Sequence, residues 1–126
     1  MKHFAIFAFG MIALSACAST PGPMAETGYP VGSLALAAIE RGDWATAERL
    51  LTSDRGIDRN DPARLVNLGR VYMATDRPGE ALTMWRQALA SPNPVEVETL
   101  GGRFARTDQL AREAIDHYQR TQTAAR

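Results

Sequence analysis

Few side chains in this chain have the types that chemistry needs, and they are scattered. His117 is the only histidine after His3 and Cys17 is the only cysteine, too few for a cluster of metal ligands. Asp116 stands beside His117, but sequence neighbours on a helix point apart, so His117 reads as a surface residue. Ser33, Ser53 and Ser91 fall at the ends of helical patterns without a nucleophile motif, and capping accounts for them. Gly101-Gly102 lacks the further glycines and the lysine of a phosphate loop. The one enzymatic arrangement left open uses Glu40, Asp108 or His117 on a glycan or peptide, in a wall-associated enzyme or an obligate subunit of one. Their spacing shows no convergence. No cofactor, no metal and no catalytic group is expected, and 14 basic against 14 acidic residues carry no nucleic-acid signature.

The elements that must position any site begin with Asp61 to Ser91. Leu65, Leu68, Gly69, Tyr72 and Met73 recur at helical spacing; after a break at Asp76-Arg77-Pro78-Gly79, Ala81, Leu82, Trp85, Ala88 and Leu89 do the same. Asp61 before Pro62 is a capped helix start, and Pro92 closes the second helix. This spacing predicts an antiparallel helical hairpin. Gly69 and Ala81 allow the helices to approach closely, and Tyr72 and Trp85 fill the space beside them. At Leu68-Gly69, Tyr72, Ala81, Trp85 and Ala88, with Pro92 near the closing proline, the segment resembles a tetratricopeptide repeat.

A second copy lies upstream. Leu34, Ala35, Ala38 and Ile39 mark one helix from Ser33, Arg41-Gly42-Asp43 breaks it, and Trp44, Ala47, Leu50 and Leu51 mark the next. Ala47 and Ala81 are 34 residues apart, as are Leu51 and Trp85, and Leu34 and Leu68; this is the period of the tetratricopeptide repeat. Ala35 stands for the close-packing glycine and Ala38 for the aromatic, and small residues in both places still permit close packing. Trp44, Tyr72, Trp85 and Tyr118 fall on the repeat's packing positions, which makes them core residues and not a ligand cage. The polar link from Thr52 to Asn60 reads as an inter-repeat loop.

Beyond Pro92-Asn93-Pro94 the pattern changes. Val95 to Thr99 alternates apolar and charged residues, Gly101-Gly102 offers a tight turn, and Arg103 to Arg106 returns as a partner strand. The alternative is the first helix of a third repeat, which adjacent glycines would weaken by about 2 kcal/mol. Thr107 or Asp108 then caps a last helix with Leu110, Ala111, Ala114, Ile115 and Tyr118 on its apolar face, fraying from Gln122. Two repeats leave an apolar end open, to be covered by this helix or by a second copy in a homodimer. The expected fold is mainly all-α: a short right-handed stack of about five helices, with a β-hairpin at about 95–106 before the last.

The beginning of the chain places that domain. Lys2 and His3 precede an apolar run from Phe4 to Leu14, too short to span a bilayer as a stable helix. Leu14-Ser15-Ala16-Cys17 resembles the lipobox of bacterial lipoproteins, the alternative being an ordinary secretory signal with an incidental cysteine. The resemblance implies diacylglyceryl transfer to Cys17, cleavage before it, and acylation of the new amino terminus. A lipid-bearing thiol is neither ligand nor nucleophile, and two or three acyl chains anchor firmly. Ala18, where an inner-membrane retention signal would carry Asp, favours the outer membrane with the domain facing the periplasm. Expected boundaries are a signal peptide at 1–16, a Pro/Gly-rich tether at 17–32, and a domain at 33–126. Its repeats fall at about 28–61 and 62–94, followed by the hairpin and capping helix at 95–122.

In tetratricopeptide repeats the first helix of each pair lines a concave groove, and its residues here would be Leu36, Ile39 and Glu40 from the first copy with Val66, Asn67, Arg70 and Met73 from the second. Such a mixture can hold an extended peptide or a helix. Lysines and paired asparagines that would clamp a terminal carboxylate are missing from it. The implied role is a lipid-anchored adaptor that holds another protein or peptide of the cell envelope.

Overall fold

The computed structural model describes residues 28–53 and 56–125. Along the chain run α1 (Leu36–Glu40), α2 (Trp44–Thr52), α3 (Pro62–Ala74), α4 (Pro78–Leu89), β1 (Glu96–Glu98), β2 (Phe104–Arg106) and α5 (Thr107–Ala124). The protein is a mainly helical stack of the tetratricopeptide type with one small antiparallel sheet, β1 paired with β2. The signal peptide, the lipobox and most of the expected tether lie outside the described residues.

The starts of α2 and α3 and the ends of α1 and α3 have local causes. Asp61 caps α3 by accepting from the N–H groups of Ala63 and Arg64, at 2.9 and 3.0 Å, with Pro62 preset for the first turn. Asp43 caps α2 through Thr46 N–H, at 3.2 Å. Both hairpin turns close in the same way. Asp43 N–H donates to Ala38 C=O (2.9 Å) around Gly42 at φ 70°, and Arg77 N–H donates to Tyr72 C=O (2.8 Å) around Asp76 at φ 59°. Gly42 and Asp76 are 34 residues apart, so the repeat register extends to the left-handed residue that ends each first helix.

The first copy departs from expectation at its start. Its helix begins at Leu36 and not at Ser33, because Ala35 takes a left-handed conformation (φ 57°) and residues 28–35 form turns around Pro30 and Gly32. Ala35 is therefore a buried cap residue, not the counterpart of Gly69 inside a helix. The last residues of the expected tether are also engaged. Tyr29 donates its hydroxyl to the Asp61 carboxylate, 3.0 and 3.2 Å from its oxygens, which joins the capping aspartate of α3 to the incoming chain.

Two core clusters follow the two repeats. Ala35, Ala38, Ile39, Ala47, Leu51, Leu68 and Val71 form the first, and Leu65, Ala81, Trp85, Ala88, Ala111 and Ile115 form the second. Complete burial of Leu51 contributes about 2–3 kcal/mol by removal of apolar area from water. Gly69 sits under the Trp85 indole: a Cβ there would lie 2.6 Å from Cδ1 and 2.9 Å from Cε2. The indole N–H donates to Val66 C=O at 3.1 Å, so the tryptophan both packs and bonds across α3 and α4. Between repeats, buried Arg64 donates through Nε to Leu51 C=O at the end of α2, where a helix carbonyl lacks its own partner. Arg77 grips Glu48 with both terminal nitrogens and lies over the Tyr72 ring, 4.4 Å from its centroid. Ala111 and Ile115 of α5 complete the second cluster, so α5 covers the open end of the stack.

Candidate functional site

The concave side of the first helices is one wall of a cleft of about 130 Å3. Leu36 and Ile39 come from α1, and Ala63, Val66, Asn67 and Arg70 recur on one face of α3. The opposite wall is Val97, Glu98, Thr99 and Leu100, with Leu110 of α5 behind them. The hairpin reaches this place because its inward residues are apolar: Ala105 is buried, and Leu100 packs against the first core cluster. Thr107 closes the base of the hairpin, donating its N–H to Val95 C=O (2.9 Å) and accepting Val95 N–H on its hydroxyl (3.1 Å). That hydroxyl is occupied by the strand, so Arg106 and not Thr107 or Asp108 holds the cap position of α5.

Of the residues expected on the groove, Leu36, Ile39, Val66, Asn67 and Arg70 line this cleft, while Glu40 and Met73 do not. Glu40 is exposed at the end of α1. Met73 packs against the second cluster, because α5 lies against α3 as well as α4. Ile39 is buried, so it supports the wall and offers little surface. Asn67 donates Nδ2–H to Leu34 C=O at 2.9 Å, which commits the amide to holding the start of the first repeat. Arg70 is the exposed cation of the cleft, and Glu98, on the strand that lines it, is exposed.

The polar residues that could serve catalysis lie on two helices, α1 and α5. Asp108 is in the first turn of α5 and pairs with Arg106, Oδ1 to Nε 3.1 Å and Oδ2 to Nη2 3.2 Å, which holds its carboxyl below the ordinary range. His117 is exposed further along α5, about 13 Å away along the axis at 1.5 Å per residue. Glu40 belongs to α1. Among the described residues there is no group of three metal-ligating side chains, and no helix is long and apolar enough to cross a membrane.

Sequence reasoning missed the hairpin as a wall of the cleft, the Tyr29–Asp61 bond, and the buried Arg64. Arg64 had no signal, since a lone arginine in a helical pattern reads as a solvent-facing residue. Leu100 had none, because the cluster it packs against is drawn from residues 35–71, distant in sequence.

With this geometry in view, the class of protein is a helical repeat stack that offers a cleft. Residues 30–51 and 62–87 match the tetratricopeptide repeat family. The chain therefore carries two tetratricopeptide-like repeats, in the register that Gly42 and Asp76 share. No curated protein and no solved structure matches the chain.

Proposed function

We propose that this protein is a lipid-anchored periplasmic scaffold that holds another protein of the cell envelope in the cleft between α1, α3 and β1, without catalysis of its own. Tetratricopeptide repeats support protein–protein interaction as the activity. The observation that carries the assignment is the convergence of Leu36, Val66 and Arg70 with Val97, Glu98 and Leu100 around one cleft. Apolar walls with one exposed cation suit a peptide segment that needs both kinds of contact. Anchoring rests on the sequence Leu14-Ser15-Ala16-Cys17, and the outer membrane on Ala18 after it. Palmitate on Cys17 would hold the domain at the periplasmic surface.

Two measurements test this. Arg70→Glu reverses the cleft's cation at an exposed position, so partner capture in cells is expected to fall while the melting temperature stays within about 2 °C. Asn67→Ala is unsuitable for the purpose, because it would release Leu34. Cys17→Ser is expected to abolish palmitate labelling and leave an unprocessed precursor. Unchanged capture by the first variant would remove the cleft from the account, and normal labelling of the second would remove the anchor.

A further inference from the structure

The hairpin leaves one strand edge without a partner, and that edge borders the cleft. Pairing runs Glu96↔Arg106, Val97↔Ala105 and Glu98↔Phe104. Thr99 N–H donates to Arg103 C=O at 2.8 Å, and Thr107 N–H to Val95 C=O at 2.9 Å. Antiparallel ladders alternate bonded and non-bonded pairs, so Val97 and Ala105 bond each other, while the N–H and C=O groups of Glu96 and Glu98 point away from β2. Among the described residues no hydrogen bond reaches those four groups. The cleft is lined by residues 97–100 and by none of β2, so this is the outer edge of β1.

The side chains on that edge are sorted by charge. Val97 shares a face with buried Ala105 and lines the cleft. Glu96 and Glu98 are exposed on the other face beside Phe104, which is 61% exposed. The arginines of the hairpin are taken: Arg106, directly across from Glu96, pairs with Asp108 (3.1 Å), and Arg103 pairs with Glu113 (3.2 Å). Glu96 and Glu98 have no ion-pair partner among the described residues.

We propose that β1 accepts an extended segment of the partner protein as a third strand, with the side-chain pattern basic–apolar–basic. This deepens the capture reading above and rests on it. An added strand lies about 4.8 Å from β1 and meets the outward N–H and C=O groups of Glu96 and Glu98. The residues opposite those two place their side chains on the carboxylate face, where lysine or arginine supplies the missing cations. The residue between them faces the Val97 side and enters the cleft among Leu36, Val66, Leu100 and Leu110. Main-chain bonds hold the segment and the alternating side chains select it. A third strand also supports a two-stranded sheet that is marginal on its own.

The test titrates the 15N-labelled full-length protein, in detergent micelles, with the capped peptide Lys-Val-Lys-Val-Lys. The amide resonances of residues 96 and 98 are expected to move downfield as their N–H groups acquire acceptors. The same peptide N-methylated at the lysine nitrogens, and its counterpart with glutamates for lysines, should bind at least about ten-fold more weakly. Glu98→Pro deletes an outward N–H without touching a ladder bond, and should lose affinity by a similar factor. Glu98→Gln keeps the N–H and should lose less, and circular dichroism melts confirm that both variants fold. Equal binding of the N-methylated peptide, or undiminished binding to Glu98→Pro, overturns strand addition. If the shifts then still fall on the amides of Leu36, Val66 and Arg70, the cleft remains a capture surface by side-chain contacts alone. No shift anywhere in the cleft with any of the peptides overturns both readings.

Discussion

Trp85 sets how closely α3 and α4 approach, and Gly69 is the residue that lets it. The missing Cβ makes room for the indole, whose N–H then finds Val66 C=O. Trp85→Ala removes a large buried ring and is expected to cost about 3–5 kcal/mol. Gly69→Ala pushes a methyl into that ring and is expected to cost about 1–3 kcal/mol. Their effects should not add, because the clash of the second disappears once the first has removed the indole. Urea unfolding of the two single variants and the double variant measures this; additive losses would mean that the two positions do not share a contact. Tyr29 makes a different prediction. Burial, then the negative charge of Asp61 and the hydrogen bond to it, hold the Tyr29 phenol well above its ordinary value. The folded chain therefore keeps this proton at pH values where the unfolded chain, near pH 10, loses it. The stabilisation is complete below that pH and is lost as pH rises through it toward the folded value. Denaturation midpoints between about pH 8 and pH 11 should fall more steeply for the wild type than for Tyr29→Phe. Parallel curves would show that the phenol does not couple to folding.

Helices in this chain are delimited by residues at their ends, and the two repeat turns make that testable. Gly42 adopts φ 70° at no steric cost, and a Cβ there would meet nothing closer than Trp44 Nε1 at 3.9 Å. Gly42→Ala should then lose about 1 kcal/mol from backbone strain alone. Asp76 already bears that strain at the equivalent place, so Asp76→Gly should gain about 0.5–1 kcal/mol. Thermal melts of both variants check the opposite signs; a loss in both would mean that the Asp76 side chain matters more than its backbone. The helices themselves were legible because their apolar spacing and their breaks repeat at 34 residues. So was the hairpin, from alternation around Gly101-Gly102. The short α1 was not, because the apolar spacing of Leu34, Ala35 and Ala38 suits a helix, whereas Ala35 turns left-handed and is buried as it does so. Tertiary packing outweighed local periodicity there.

At the scale of the whole molecule, α5 resolves the difficulty of a two-repeat stack. Ala111 and Ile115 close the second core, so the face that a second copy could have covered is already covered within the chain. The path from α4 to α5 carries the hairpin over the concave side, and the open groove of the repeats becomes a cleft with two walls. Five of the residues expected on the groove line this cleft, by their places on the first helices. The second wall was not legible in the sequence, since it depends on Leu100 and Val97 meeting residues far away in sequence. The central claim is that a partner lies in this cleft and not on the outer surface. A photoreactive amino acid incorporated at Leu36 on the cleft wall, and separately at His117 on the exposed side of α5, tests it in living cells. The expected result is a discrete cross-linked protein from position 36 that is lost with Arg70→Glu, and no such species from position 117. The same product from both positions, or from position 117 alone, would contradict the account.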